Sequence, residues 1–221
     1  MTTTPLAPGR LFDALSTAAL RDTAQLREIY EQPSEHARRK QVDHLHDSAQ
    51  QLIGCASLVF MASAGADGRT DVTPRGGPPG FVSVLDVHTL AIPDATGNKR
   101  LDSLHNIIET GQVGLLFVIP GRDSTLRVNG RACVSTDPQL LAQLTAVGKP
   151  PRSAVVVAVE AVYGHCPKSF LRAGAWKPEK WLSPDAAPSS AQVTLSHLSD
   201  PELTIEMIEQ SEREALLYRY E

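Results

Sequence analysis

Gly97-Asn98-Lys99-Arg100-Leu101-Asp102-Ser103-Leu104 sets two adjacent cations in front of a segment with helical periodicity. Asn98 or a neighbour is expected to cap the first free N–H groups, and Leu101, Leu104, Ile107 and Ile108 supply an apolar face. The helix should stop near Thr110-Gly111. Val113 to Ile119 then reads as a buried strand, Pro120 to Ser124 as a loop, and Thr125 to Ala132 as a second strand. A helix N-terminus gathers orphan N–H groups and the positive end of the helix dipole, so cations delivered there form an anion site. Phosphate is its natural guest. Spacing alone leaves a second reading open, in which Lys99 and Arg100 are a solvated surface pair.

Working outward, Ser57 to Ser63 is an apolar run of strand length that turns at Gly65 to Gly68. Asp71 to Arg75 reads as a short return strand ended by Pro74, and Gly76 to Gly80 as a shaped loop. A hairpin of Phe81 to Leu85 with Thr89 to Ile92 leads to Pro93-Asp94 and the opening stretch. Downstream, Asp137-Pro138 starts a short helix through Leu140, Leu141 and Leu144, broken by Gly148 to Pro151. Ser153 to Tyr163 is a long β-branched strand, expected to be central. Short strands joined by tight turns, with one crossing helix, predict a mainly β fold with peripheral helices: a closed or split β-barrel.

The flanks read as helical. Leu11 to Tyr30 carries helical punctuation, with Leu11, Phe12, Leu15, Ala19, Leu26 and Ile29 as its buried set. Ser34 reads as the N-cap of a second helix running to about Asp47. His36, His44 and His46 lie on or near it; no carboxylate or cysteine completes a ligand set, so no metal site is expected. Residues 1–8 are Thr- and Pro-rich and should fray. Pro184 to Ser190 is a connector, followed by a closing helix from about Pro201 with Leu203, Met207, Ile208 and Leu216 as its apolar positions. The expected organisation is one domain over 1–221: a helical segment (about 9–50), a barrel (about 52–176), and a connector plus helix (about 184–221).

A net charge of −4 supplies no basic excess for neutralising nucleic-acid phosphates. No apolar run approaches a membrane span, and the N-terminus lacks the order of a signal peptide, so a cytoplasmic location is expected. Three cysteines, Cys55, Cys133 and Cys166, are widely spaced and suit reduced thiols. No P-loop, G-x-G-x-x-G or Ser-His-Asp order is present.

The run GNKRLDSLHNIIETGQVGLLFVIPG (97–121), with TLRVNGRA (125–132) and DVTPRGGPPGF (71–81), resembles the pyridoxamine 5′-phosphate oxidase-related flavoproteins, the FMN-binding split barrels. In particular it is similar to a subgroup with an S-P-R-G-D signature and a G-N-R-R-L-D-S-L phosphate loop, over roughly Leu52 to Trp176. The resemblance implies an FMN-binding split β-barrel, a homodimer with flavin between subunits, and an FMN-dependent oxidoreductase acting on a small molecule not identified by the sequence. The R-x-V-L-L-K segment and C-terminal R-L-H-D-R motif of pyridoxamine 5′-phosphate oxidase itself are not found. Other split barrels use a deazaflavin, degrade haem, or bind flavin without turnover, so a non-catalytic flavin-binding or sensor protein is the alternative.

Flavin mononucleotide needs cations and N–H donors at its phosphate and donors along its ring edge. Lys99 and Arg100 match the basic pair of the phosphate loop, and Ser103 follows in the first helical turn. Asp102 suits the dipole but would repel a phosphate, so it should face away. Thr73 and Arg75 fall on the signature, here Thr-Pro-Arg-Gly-Gly; Arg75 either contacts the ligand or braces the glycine loop. Thr125 and Arg127 alternate on one strand and so share a face, which in the family lies against the flavin. A cross-strand ion pair is the other reading of Arg127. Lys168, Arg172 and Trp176 resemble a C-terminal Cys-x-Lys-x-x-x-Arg-x-x-x-Trp pattern and would form the substrate rim, although Trp176 and Trp181 could simply cover core edges. Cys166 is expected to be a buried thiol.

Overall fold

The computed structural model describes residues 9–95, 97–145, 147 and 149–219. Residues 1–8, expected to fray, and Gly148, read as part of a helix break, lie outside them. The chain divides into two units, the first ending at Arg39 and the second beginning at Lys40.

In the first unit, α1 (Arg10–Ser16), α2 (Thr23–Ile29) and α3 (Glu35–Arg39) contain no buried residue. The continuous helix expected over Leu11 to Tyr30 is thus two helices. Asp22 opens the second, its side chain accepting from the Gln25 N–H at 2.9 Å, and such a cap ends the preceding path as effectively as it starts the next. The expected buried set is exposed within this unit, Phe12 most of all at 75%. Ser34 does cap α3, accepting from the Ala37 N–H. That helix ends at Arg39 rather than near Asp47.

The second unit opens with α4 (Asp47–Cys55), where Ala49 and Ile53 are buried. His44 and His46 lie on the segment before it. Then come β1 (Leu58–Ala64), β2 (Thr70–Gly76), β3 (Ser83–Asp86), β4 (Thr89–Pro93), α5 (Asp102–Thr110), β5 (Gln112–Val118), β6 (Thr125–Ser135), α6 (Pro138–Gln143) and β7 (Ala154–His165). The seven strands form one antiparallel sheet ordered β2-β1-β5-β6-β7-β4-β3. β7 lies inside the sheet, as its unbroken apolar run predicts. Pro74 does not end β2: it pairs with Phe60 within the strand. β2 is a sheet edge, where a missing N–H costs no ladder bond.

Strand alternation sorts the sheet into two faces. Val59, Met61, Leu115, Phe117 and Val128 point into the core with at most 1% exposure. α5 sets Leu104 and Ile107 into the same core, while Leu101 and Ile108 stay exposed. The two ends of the strand order approach each other, because Arg75 on β2 reaches Asp94, just past β4. No ladder joins β2 to β3 or β4 among the described residues. The sheet is therefore a split barrel, curled around its core with a seam crossed by side chains.

α7 (Lys168–Ala173), α8 (Ser190–Leu198) and α9 (Ile205–Arg219) complete the unit. α8 replaces part of the expected connector; Ser189 and Gln192 form a reciprocal capping box that starts it. α9 begins later than expected, and of its proposed apolar positions Ile208 is buried while Met207 and Leu216 are exposed. Among the described residues no helix is long and apolar enough to cross a membrane.

Candidate functional site

Where the seam is held open, a cleft of about 720 Å³ lies between β2, the end of β4, residues 94, 95 and 97–101, and the start of α5. Five of the residues expected to bind a ligand line it: Thr73, Arg75, Lys99, Arg100 and Ser103. The register explains the first two. Thr73 pairs with Met61 and Arg75 with Val59, and cross-strand partners share a face, so both side chains stand on the core side of the sheet. The loop after β2 is tightly shaped: a Cβ on Gly77 would lie 2.7 Å from the Phe81 side chain.

The loop into α5 is wound rather than extended. Lys99 has φ 64° and Leu101 φ 60°, left-handed conformations uncommon outside glycine. The Asn98 side chain accepts from the Arg100 N–H at 3.0 Å, two residues before the helix. Asn98 therefore shapes the turn instead of capping α5. The N-cap is Leu101, whose side chain has no oxygen to offer, so among the described residues no side chain caps the first N–H groups of α5. Those donors remain available to an acceptor beside the cleft.

Much of the charge here is already paired. Arg75 Nη1 donates to Asp94 Oδ1 at 2.6 Å, each side chain one-fifth exposed. Arg75 thus braces the seam, yet its Nε is buried with no hydrogen-bond partner among the described residues. A buried guanidinium N–H left unmatched fits a ligand acceptor at this position. Arg100 Nε donates to Asp102 Oδ2 at 2.8 Å, and this bond is the larger cause raising the Arg100 pKa above its ordinary value. Asp102, expected to face away from a phosphate, lines the cleft with its carboxylate bonded to Arg100. Ser103, 4% exposed, donates its hydroxyl to Asp71 at 2.6 Å.

Thr125 and Arg127 are not in this cleft. Arg127 pairs with Leu116 and Leu116 with Phe60, so Arg127 stands on the outer face, opposite Thr73 and Arg75. Thr125, two residues away on β6, shares that face but is buried. Arg127 donates to the Tyr163 hydroxyl at 3.0 Å instead of entering a carboxylate pair. Lys168 and Arg172 are exposed on α7, and Trp176 stacks on Phe170 at 5.9 Å while donating to the Arg122 carbonyl. Cys166 is exposed, not buried, because β7 ends at His165 and the chain leaves the sheet there. Arg152 also lines the cleft. It precedes β7 in a proline-rich segment with no motif, and only the β4–β7 pairing, Pro93 opposite Ala154, brings it there.

Residues 45–166 match the family model for pyridoxamine 5′-phosphate oxidase. The chain belongs to that family, whose split-barrel fold is a flavin-binding one. No curated protein matches it. Among solved structures, HupZ of Group A Streptococcus is 19% identical, covering 54% of this chain and 92% of its own, with a TM-score of 0.42. An FMN-binding protein from Syntrophomonas wolfei is 13% identical over 71% of this chain and 97% of its own, TM-score 0.40. The general stress protein 26 of Bacillus anthracis is 13% identical over 52% and 88%, TM-score 0.37. Likenesses at this level assign no activity.

Proposed function

We propose that this protein is a cytoplasmic FMN-dependent oxidoreductase that binds its flavin with the phosphate in the seam cleft. The observation that carries the reading is the buried, unmatched Nε of Arg75 in a cleft shared with Lys99, Arg100 and the uncapped start of α5. When bound, the flavin supplies hydride or electron transfer to a small molecule. The residues of the chain bind and orient it. Lys99 and the α5 N–H groups meet the phosphate, the Arg100–Asp102 pair shapes the turn into the helix, and Ser103 holds Asp71 back. Thr73 and Arg75 line the wall beside the seam.

The flavin site is completed in a homodimer. Arg127 occupies the face opposite the cleft and would reach a flavin held by the other chain only from a partner subunit, whereas Thr125 is buried on that face. Phe60 and Val72, exposed on that outer face, support such a contact. Lys168, Arg172 and Trp176 are assigned to the substrate rim.

The experiment compares FMN with riboflavin, which lacks the phosphate, by flavin-fluorescence quenching at fixed ionic strength. A hydrogen bond to a charged group is worth about 1.5–3 kcal/mol, so Lys99→Gln should weaken FMN about 10- to 150-fold and leave riboflavin unchanged. Equal loss for both ligands refutes the phosphate assignment. Reduction of the bound flavin by NAD(P)H, followed by an acceptor screen, separates an oxidoreductase from a protein that only holds flavin.

A further inference from the structure

Four cations line the cleft, Arg75, Lys99, Arg100 and Arg152, together with three carboxylates, Asp71, Asp94 and Asp102. Two of the cations are committed: Arg75 to Asp94 and Arg100 to Asp102. Asp71 is held by the Ser103 hydroxyl. Lys99 and Arg152 have no carboxylate partner among the described residues. A paired cation and carboxylate act on a distant anion as a dipole, whose field falls off faster than that of a single charge. The Arg100–Asp102 pair therefore contributes little net attraction, although Arg100 is the cation that sits beside Lys99 in the sequence.

The backbone that carries Arg152 is also held in place. The Asp94 N–H donates to the Ser153 carbonyl at 2.9 Å, and Pro93 pairs with Ala154. The segment carrying Arg152 is thereby tied to the residue that brackets Arg75. Arg152 lines the same cleft as Lys99 but comes from a different element, and a planar fork presents several donors to phosphate oxygens.

Resting on the flavin reading above, we propose that Arg152 is the second cation of the phosphate site and outweighs Arg100 there. Lys99 and Arg152 then grip a phosphomonoester dianion from two different elements, while the Arg100–Asp102 pair shapes the turn into α5.

The test titrates FMN and riboflavin into purified wild type, Arg152→Gln, Arg152→Lys and the double variant Arg100→Gln/Asp102→Asn, with circular dichroism to check folding. The double variant removes a neutral pair and so avoids leaving Asp102 uncompensated beside the anion. Arg152→Gln is expected to weaken FMN about 10- to 150-fold with riboflavin unchanged. Arg152→Lys, which keeps the charge but loses the fork, should recover only part of that loss, and the double variant should stay within about threefold of wild type. Arg152→Gln within threefold of wild type, or a larger loss in the double variant than in Arg152→Gln, overturns the proposal. If wild type binds FMN no more tightly than riboflavin, the phosphate reading of the cleft itself fails, a result distinct from the other two.

Discussion

Removing Asp94 should loosen the barrel at its seam. Among the described residues no ladder crosses from β2 to β3 or β4, so the Arg75–Asp94 bond does there what hydrogen-bonded strands do elsewhere in the sheet. At 2.6 Å, with each side chain 20% exposed, the pair is mostly desolvated. Deleting one member of a buried pair strands the other and costs about 3–5 kcal/mol, and the residual exposure brings the expectation for Asp94→Ala to about 2–3 kcal/mol. For a chain of 221 residues that corresponds to a fall in Tm of about 4–12 °C. Urea denaturation followed by circular dichroism measures it, with Asp102→Ala as the control. That residue's bond to Arg100 is comparably short, 2.8 Å, but the side chains are 73% and 45% exposed, so its loss should cost far less than that of Asp94. Moderate salt should narrow the control difference more than the Asp94 one, since screening acts mainly on exposed charge. Equal midpoints for Asp94→Ala and Asp102→Ala would show that the seam is held by packing alone.

Gly130→Ala should be far more damaging than Gly114→Ala. A Cβ at 130 would sit 2.0 Å from the Ala158 carbonyl oxygen, a backbone atom with nowhere to go, whereas at 114 it meets the Asn129 side chain at 3.3 Å. The first should cost at least about 3 kcal/mol and the second about 1 kcal/mol or less, read from urea midpoints. For the proposed dimer, Phe60→Glu should shift sedimentation towards monomer and weaken flavin binding together, because a ligand held only by a dimer stabilises only the dimer. A monomer that keeps full flavin affinity would contradict the shared site.

How far the residues announced the structure depends on where their constraints come from. β5, β6 and β7 carry β-branched or apolar runs bounded by turn residues, and their positions follow from that alone. The helix at Asp102 was visible because Leu104 and Ile107 fall on one face. The first unit misled for the converse reason: Leu11, Phe12 and Leu15 have helical spacing, but spacing says nothing about whether a partner surface exists to bury them. Pro74 reads as a stop in the sequence because a proline's fate depends on whether its strand is an edge, and strand order is a tertiary fact. Arg75 posed two alternatives, and the structure makes them compatible, with Nη1 committed to the seam and Nε left over. Arg152 had no local signal at all. Its place in the cleft arises from an antiparallel pairing between residues some sixty positions apart, Pro93 and Ala154.

The division of the expected site across the sheet constrains any mechanism. Thr73 and Arg75 stand on the face of Val59 and Met61; Thr125 and Arg127 stand on the face of Phe60 and Leu116. Adjacent strand positions point in opposite directions, so no rotamer change carries a side chain through the sheet. A single chain can therefore offer a ligand in its cleft one group but not the other. If both contact one flavin, the outer face of one subunit must lie against the cleft of its partner, and a two-fold arrangement would build two equivalent sites at once. The exposed Phe60 and Val72 put apolar area on that outer face, and Arg127, bonded to Tyr163 rather than to a carboxylate, keeps its positive charge uncompensated there. That charge would serve the flavin ring edge, which gains negative charge on reduction, while Lys99 and Arg152 of the other chain hold the phosphate. Arg127 and Lys99 would then act on the same cofactor from different subunits, each at the end whose chemistry it suits.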